Sequence, residues 1–361
     1  MLVFIARRFG LMVLTALCLT FIVFFLTNLR PNLEKLARTE GSVRMTEEAV
    51  DQWIIENGHG GSVVGRYAEW IGITPGWVLT DEKGVTRGRC IDDGVAPEMA
   101  PRYCGILQGD WGFSSFFKKP VFSSVMEKLG ATAWLMLAVM LVMVPASLLI
   151  GVISGMREGT RTDRALSTFA IASTATPEYV SGVVLVAIFA SATAGISPIL
   201  KSWGWIEGKT LFLGSATSAL DGITFWNFAL PVMTIALYGI GYIARMTRAS
   251  MTEVMTQQYI RTARLKGVPF GGVVVKHALR NALIAPFTVI MLQFPWLLNG
   301  VVIVESLFNY KGFGWTLVQA ASNNDIELLL GCSVVAVFVV LVTQLISDIG
   351  YVFLNPRIRL S

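Results

Sequence analysis

Apolar stretches recur along the chain at a length that suits membrane crossing. A helix needs roughly 20 mostly apolar residues to span a hydrocarbon core about 30 Å thick. Because lipid offers no hydrogen-bond partner to an exposed backbone, helices are the expected form of such stretches. The qualifying segments cover residues 9–29, 131–155, 165–194, 225–243, 283–304 and 328–354. The pattern predicts an all-α membrane protein with six transmembrane helices.

The third, fourth and fifth of these segments are interrupted by proline, at Pro177, Pro231, Pro286 and Pro295. Proline removes a backbone donor and clashes with the preceding helical turn. We therefore expect kinks there, which line a cavity or pack on neighbouring helices.

Composition agrees with a membrane protein. The chain is 54% hydrophobic and 15% charged, whereas soluble domains are nearer a quarter charged. Its net charge of +5 comes from basic residues sorted by loop, so no nucleic-acid partner is expected. Lys and Arg gather before the first span, after the second and fourth, and after the sixth, at Arg357 and Arg359. This bias predicts cytoplasmic termini. No small-residue cleavage site follows the first span, so we expect a retained helix.

These features divide the chain into an N-terminal helix (1–29), a polar periplasmic insertion (30–127) and a core with five spans (128–361) that contains a cytoplasmic loop (245–281). Cys90 and Cys104 fall in the insertion. In an oxidising compartment they either close a disulfide, worth roughly 3 kcal/mol, or remain free thiols.

The cytoplasmic loop has a recognisable internal order. Residues 247–266 have helical composition, and Tyr259, Ala263 and Lys266 share one helical face. Gly267 and Pro269 supply a stop, and a second helix is expected to run from near Val273 into the fifth span. The small residues and the surrounding cations suit insertion into a groove on another protein. The alternative is a basic loop that contacts anionic lipid.

At this loop the sequence resembles a known family. "YIRTARLKGV" followed by "HALRNALIAP" is similar to the coupling loop of permease subunits of ATP-binding-cassette importers, in the oligopeptide, dipeptide and nickel branch. Arg261 and Thr262 stand where the wider family has Glu and Ala, a departure that the peptide branch shares. The stretches "GDWGFS", "VIVESLFNYKGFGW" and "SDIGYVFLNPRIRL" agree in order, whereas residues 32–105 diverge.

The resemblance implies a type I importer permease fold in the bacterial inner membrane. It implies a homologous second permease subunit, two ATPase subunits and a periplasmic solute-binding protein as partners, besides the lipid bilayer. ATP and Mg²⁺ are expected on the ATPases, with no cofactor, metal or catalytic site in this chain. The coupling residues carried over are Tyr259, Arg261, Thr262, Ala263, Arg264, Lys266 and Gly267.

Substrate contacts are predicted from polar residues inside spans. Glu178 is an acid near a bilayer midplane, where a carboxylate faces a cavity or a structural partner. Gln293 and Asn299 are further candidates for the translocation pathway. A secondary transporter or channel that acts without ATPases is the alternative function, although the two halves of the chain show no inverted repeat. A receptor or assembly subunit is a third.

Overall fold

The structure is a computed structural model that describes residues 2–80, 86–91 and 96–354. The predicted basic end, with Arg357 and Arg359, lies outside these residues. The chain begins with a long helix, followed by three short helices: α1 (Leu2–Thr27), α2 (Arg30–Glu40), α3 (Glu47–Glu56) and α4 (Val63–Ile71). Two antiparallel strand pairs follow: β1 (Val78–Thr80) with β2 (Thr86–Gly88), and β3 (Phe113–Ser114) with β4 (Lys119–Pro120). Single 3-10 turns cover Pro97–Met99 and Ile106–Gln108.

Helices dominate the rest of the described chain. They are α5 (Val121–Met156), α6 (Arg161–Ala175), α7 (Glu178–Phe189), α8 (Ser197–Ser202), α9 (Phe225–Met255), α10 (Gln258–Leu265), α11 (Phe270–Gly272), α12 (Leu279–Ala282), α13 (Ile284–Leu307), α14 (Phe313–Ser322) and α15 (Ile326–Leu354). A 3-10 turn covers Thr217–Leu220, and a π-helix, Val273–Ala278, joins α11 to α12.

Within the described residues, α1, α5, α9 and α15 are each long and apolar enough to cross a membrane. Two bent pairs raise the number from four to six if each pair is one span. The pairs are α6 with α7, bent by 110°, and residues 270–282 with 284–297, bent by 50°.

The bend between α6 and α7 corrects the prediction of a kinked helix over residues 165–194. Thr176, which precedes Pro177, has an extended backbone with φ −91° and ψ 121°. A residue before proline is pushed out of the helical region, and proline has no N–H to continue the ladder. The chain therefore breaks into two helices at Pro177. By contrast, Pro231 and Pro295 lie inside continuous helices.

Helix α9 is longer than its apolar segment. It begins with a capping box, in which Thr224 accepts from the Asn227 N–H and the Asn227 side chain accepts from the Thr224 N–H. It ends at Met255, well past the predicted end of the span at residue 243. The apolar pattern therefore located the membrane span, but it did not show that the same helix continues through the polar residues after 243.

Backbone contacts group the chain into two compact units, which differ from the predicted three-part division because residues 316–341 join the N-terminal residues. Unit 1 covers residues 1–128 and 316–341, and its core contains Phe24, Leu33, Leu36, Trp70, Ile326 and Leu330. Cys90 and Cys104 form a disulfide in this unit, the pairing that the sequence left open.

Unit 2 covers residues 129–315 and 342–361. Helix α9 lies at its centre, since it packs against α6, α7 and α13. A large apolar core with Leu135, Ile235, Ile243 and Leu297 surrounds α9, and a smaller one lies beneath α10.

Candidate functional site

The basic segment between α9 and α13 folds as a short helix that follows a break in the chain. Gln257 takes an extended backbone, with φ −68° and ψ 149°, and α10 begins at the next residue. The predicted helix over residues 247–266 is therefore two helices, a correction that no glycine or proline in that stretch indicated. Helix α10 stops at Gly267, whose φ of +78° is a left-handed conformation that glycine adopts without strain.

One face of α10 packs on its own chain. Ile260 is fully buried, and Ala263 is only 7% exposed. Both pack against Met251, Val273, Val274 and Ala278. The structure therefore corrects the expectation that Ala263 presents little bulk to a partner. Because Ile260 and Ala263 are three residues apart, they form the apolar side of the helix, and the small Ala263 side chain lets α10 lie close to the π-helix.

The opposite face of α10 is open. Arg261, Thr262, Arg264 and Lys266 are exposed, and Leu265 is 80% exposed. The Thr262 hydroxyl donates to the Gln258 carbonyl at 3.0 Å, so it is occupied within the helix. The surface thus offers cations around one large apolar side chain. Sequence reasoning did not select Leu265, although a leucine opposite Ile260 on a short helix was the available signal.

Polar contacts fix both α10 and α9 to α12. Tyr259 Oη accepts a hydrogen bond from Asn281 Nδ2 of α12 at 2.9 Å. Ser250 Oγ of α9 donates to the Ala282 carbonyl at 2.8 Å. Tyr259, which was predicted as a contact for a partner, therefore also holds α10 in place.

The path from α10 to α13 is irregular. Residues 273–278 form a π-helix, and the chain bends at Leu283 before α13 begins. The predicted second helix, from near Val273 into the fifth span, is thus helical but interrupted. Single π-helical turns inside α-helices occur often at functional sites.

An ion pair with a buried carboxylate ties the first turn of α6 to α9. Asp163 is 3% exposed and accepts from Arg248 Nε at 2.6 Å and Arg248 Nη2 at 2.8 Å. It also accepts from Ser154 Oγ at 2.5 Å and from the Gly159 N–H at 2.9 Å. Such two-pronged pairing fixes direction as well as distance. Sequence reasoning missed this pair, and a lone Asp among arginines was its signal.

Glu178 lies directly after the break between α6 and α7. It is 9% exposed, and Oε2 lies so near Gly300 of α13 that a Cβ at that position would meet it at 2.5 Å. Its Oε1 has no hydrogen-bond partner among the described residues. A buried carboxylate oxygen without a partner is costly, so a ligand, water or another chain is the expected occupant.

Gln293 lies on the same helix as Gly300, seven residues earlier and thus on the same face. It is 7% exposed, and its Nε2 also has no partner in the described part of the chain. Gln293 therefore lies on the side of α13 that the Glu178 carboxylate approaches at Gly300. The side chain of Asn299 lies outside the described residues.

A second buried acid, which the sequence analysis did not select, organises the loop after α13. Glu305 is fully buried, accepts from Thr132 Oγ1, and accepts from the Trp315 N–H at 2.9 Å. Thr132 Oγ1 in turn accepts from the Phe313 N–H at 2.7 Å. The carboxylate is thus saturated by its own chain, which distinguishes it from Glu178.

Comparisons with known proteins show which family the sequence belongs to. The family described as "Binding-protein-dependent transport system inner membrane component" matches residues 147–360. The chain is 31% identical over 370 residues to the di/tripeptide transport system permease protein DppB of Pseudomonas aeruginosa, with 99% of each chain covered.

Two further relatives are similar over a shorter stretch. A probable peptide ABC transporter permease protein of Sinorhizobium fredii is 32% identical, over 70% of this chain and 77% of the relative. A glutathione transport system permease protein of Pectobacterium atrosepticum is 33% identical, over 70% and 76%. The chain therefore belongs to the inner-membrane components of binding-protein-dependent transport systems, as an ABC transporter permease of the oligopeptide and dipeptide type.

Proposed function

We propose that this permease is a subunit of an ATP-driven importer that moves peptides from the periplasm to the cytoplasm. The proposal is supported by relatives whose names specify peptide, dipeptide and glutathione transport. The chain works with a homologous second permease, two ATPase subunits and a periplasmic solute-binding protein. ATP and Mg²⁺ bind the ATPases, and this chain contributes the path through the membrane.

The observation that carries the proposal is the two-sided character of α10. Its inner face is anchored by Ile260, Ala263 and the Tyr259–Asn281 hydrogen bond, so a force applied to it is transmitted to α9 and α12. Its outer face offers Arg261, Arg264 and Lys266 around the 80% exposed Leu265. An apolar side chain ringed by cations fits an apolar pocket with an acidic rim better than it fits lipid head groups.

Orientation follows from the same assignment. With α10 on the cytoplasmic side, both termini lie in the cytoplasm, and the insertion between α1 and α5 lies in the periplasm. Two variants of a chain lacking the exposed Cys18 test this orientation, one with Ser42→Cys and the other with Thr256→Cys. The remaining free thiol among the described residues, Cys332, is buried. An impermeant maleimide is expected to label the first in intact spheroplasts and the second only after permeabilisation. The reverse labelling overturns the orientation.

Leu265 provides the direct test of coupling. In Leu265→Glu, a charge replaces the apolar side chain, and we expect the ATPases to be lost on affinity purification and ATP-dependent dipeptide uptake into proteoliposomes to stop. Leu107→Glu changes an exposed leucine of the insertion, 70% exposed, and is the matched control. Full ATPase recovery and uptake in Leu265→Glu would contradict a docking role for α10. Uptake by the chain alone, without ATPases, would favour a secondary transporter instead.

A further inference from the structure

Unit 1 contains a cavity of about 550 Å³ that the proposed coupling and translocation residues do not use. Its walls come from the end of α1, from α4, from the segments around Trp77 and Asp110, and from the first turn of α15. All of these residues belong to unit 1. The volume lies in the range of pockets that hold small molecules, which is roughly 300–1,000 Å³.

Charged side chains of both signs line this cavity. Arg66 and Arg89 supply the cations, and Glu69, Asp110 and Glu327 supply the carboxylates. Arg66 and Arg89 interact electrostatically with Glu69, and Arg89 does so with Glu327. However, among the described residues no ion pair with N···O within 4.0 Å joins any of these cations to any of these acids.

The hydrogen bonds of these groups are also incomplete. Arg66 Nη1 donates to Asn28 Oδ1 at 2.8 Å, but Nε of Arg66 and Nε of Arg89 have no partner in the described part of the chain. The same holds for Oε2 of Glu327. Burying charged groups without partners costs free energy that a bound molecule of opposite charge recovers.

The residues that carry these charges are held in place. Arg89 directly precedes Cys90, whose disulfide to Cys104 fixes that segment. Gly76 lies against the disulfide, where a Cβ would meet Cys90 Sγ at 2.6 Å. Two indole rings, Trp70 and Trp77, line the same cavity and offer apolar surface for a side chain. A site with prearranged charges and aromatic walls binds with little ordering cost.

We propose that this cavity binds a zwitterionic molecule, an amino acid or a short peptide with both termini free. Its carboxylate lies at Arg66 and Arg89, and its ammonium lies at Glu69, Asp110 and Glu327. The cations and the carboxylates, which form no ion pair with each other among the described residues, thus become partners of the ligand's two ends. Binding itself does not require the proposed transport function; a role as a periplasmic entry site for cargo rests on it.

The charge requirement is tested on the unmodified full-length chain in nanodiscs, by isothermal titration calorimetry in the absence of binding protein and ATPases. We expect Ala-Ala to bind, and N-acetyl-Ala-Ala and Ala-Ala-amide each to bind at least about tenfold more weakly, since each lacks one charge-assisted contact. Equal affinity for the blocked and free dipeptides, or no binding of Ala-Ala, overturns the proposal. Tighter binding of ethanolamine phosphate than of Ala-Ala also overturns the proposal, because that preference would identify a site for lipid head groups.

Variants locate the binding in this cavity. Arg89→Gln and Glu327→Gln are expected to weaken Ala-Ala binding at least about tenfold. Arg87→Gln and Glu56→Gln change exposed residues of the same unit and are the matched controls. Unchanged affinity in the cavity variants overturns the location. No ATPase is present in these measurements, so a negative result here does not contradict the importer proposal. Conversely, a Leu265→Glu variant that keeps its ATPases would contradict the docking role of α10 but not this binding site.

Discussion

Single residues in this permease take roles that their neighbours in sequence do not reveal. Ala263 and Gly267 are both small and four residues apart, yet they differ in what their size does. Ala263 is buried against the chain itself, whereas no atom lies within 4 Å of a Cβ placed on Gly267. Gly267 is therefore required for its left-handed backbone and not for space.

Gly267→Ala tests that distinction. An alanine in the left-handed region costs about 1 kcal/mol, so the last turn of α10 opens more often. We expect amide hydrogen exchange at Leu265 and Lys266 to become roughly fivefold faster. Gly271→Ala also enters open space, but without a positive φ, and should leave exchange unchanged. Equal effects of the two variants would show that conformation is not the reason for Gly267.

Glu178 is a candidate ligand contact in unit 2, because one of its buried oxygens lacks a partner among the described residues. Removing its charge in Glu178→Gln is expected to raise the half-saturating concentration for lysine-containing peptides roughly fivefold and to leave neutral peptides unaffected. Gly300→Ala pushes a methyl group against the carboxylate and should act in the same direction. Uptake kinetics in proteoliposomes measure both effects.

The matched control for these variants is Glu207→Gln, an exposed acid in the same unit. A purely structural role for Glu178 predicts a different result, in which cationic and neutral peptides lose uptake equally. That outcome would remove Glu178 from the translocation pathway.

At the scale of helices, the sequence located elements better than their junctions. The long apolar segments correspond to α1, α5, α9, α13 and α15, because period and length are local properties. The break at Pro177 was visible as a proline, but its 110° angle depends on how α6 and α7 each pack on α9. The break before α10 had no local signal, since Thr256 and Gln257 are compatible with a helix.

At the candidate site, too, local features were predictable from sequence and long-range contacts were not. The stop at Gly267 and the cationic loop were predictable, because capping and charge are written locally. Which face of α10 turns inward was not, because it depends on the π-helix beneath Ile260 and Ala263. The Asp163–Arg248 pair spans 85 residues of sequence, so a single sequence offered no way to join its partners.

This pair connects two elements and is expected to stabilise their junction. Asp163→Asn leaves Arg248 without its carboxylate; because the Arg248 side chain is 32% exposed and keeps contact with water, we expect a cost of about 1–2 kcal/mol, less than for a fully buried pair. We expect a lower thermal midpoint in detergent and weaker stimulation of ATP hydrolysis by substrate. Asp163→Asn combined with Arg248→Gln should recover part of the stability, because no charge is then left unpaired.

Asp221→Asn, at an exposed position of unit 2, serves as the control for that pair. If Asp163→Asn melts like the wild-type chain, the ion pair contributes nothing to the junction. If the double variant is less stable than Asp163→Asn, the cost does not come from an unpaired charge.

For the whole molecule, the insertion is the part that the sequence described least. Its polar composition predicted partial structure, but not a unit with a core built on Trp70 and Leu36 and joined by residues 316–341. Contacts between residues so far apart in sequence produce no periodic pattern of apolar residues from which they could be predicted. The disulfide was foreseen as one of two states because cysteine count and compartment, unlike packing, are readable from sequence.

The same unit should respond to acid through His59. Burial, followed by the charges of Arg66 and Arg89, lowers the pKa of His59 from 6.5 to about 4. At pH 7 the imidazole is mostly neutral in both the folded and the unfolded chain. As pH falls below 6.5 the unfolded chain takes up a proton that the folded chain refuses, so stability is lost between pH 6.5 and 4, up to on the order of 3 kcal/mol.

His59→Gln removes this titration and keeps a polar side chain beside Trp53, on which the imidazole stacks. Burial raises the pKa of Glu40 and Glu69, and each is protonated sooner in the folded chain, which opposes the loss at low pH. The difference between wild type and His59→Gln therefore isolates the histidine. We expect the thermal midpoint of the wild type to fall more than that of the variant between pH 7.5 and 5. Parallel falls would mean that burial and the charges of Arg66 and Arg89 do not keep the imidazole neutral in the folded chain.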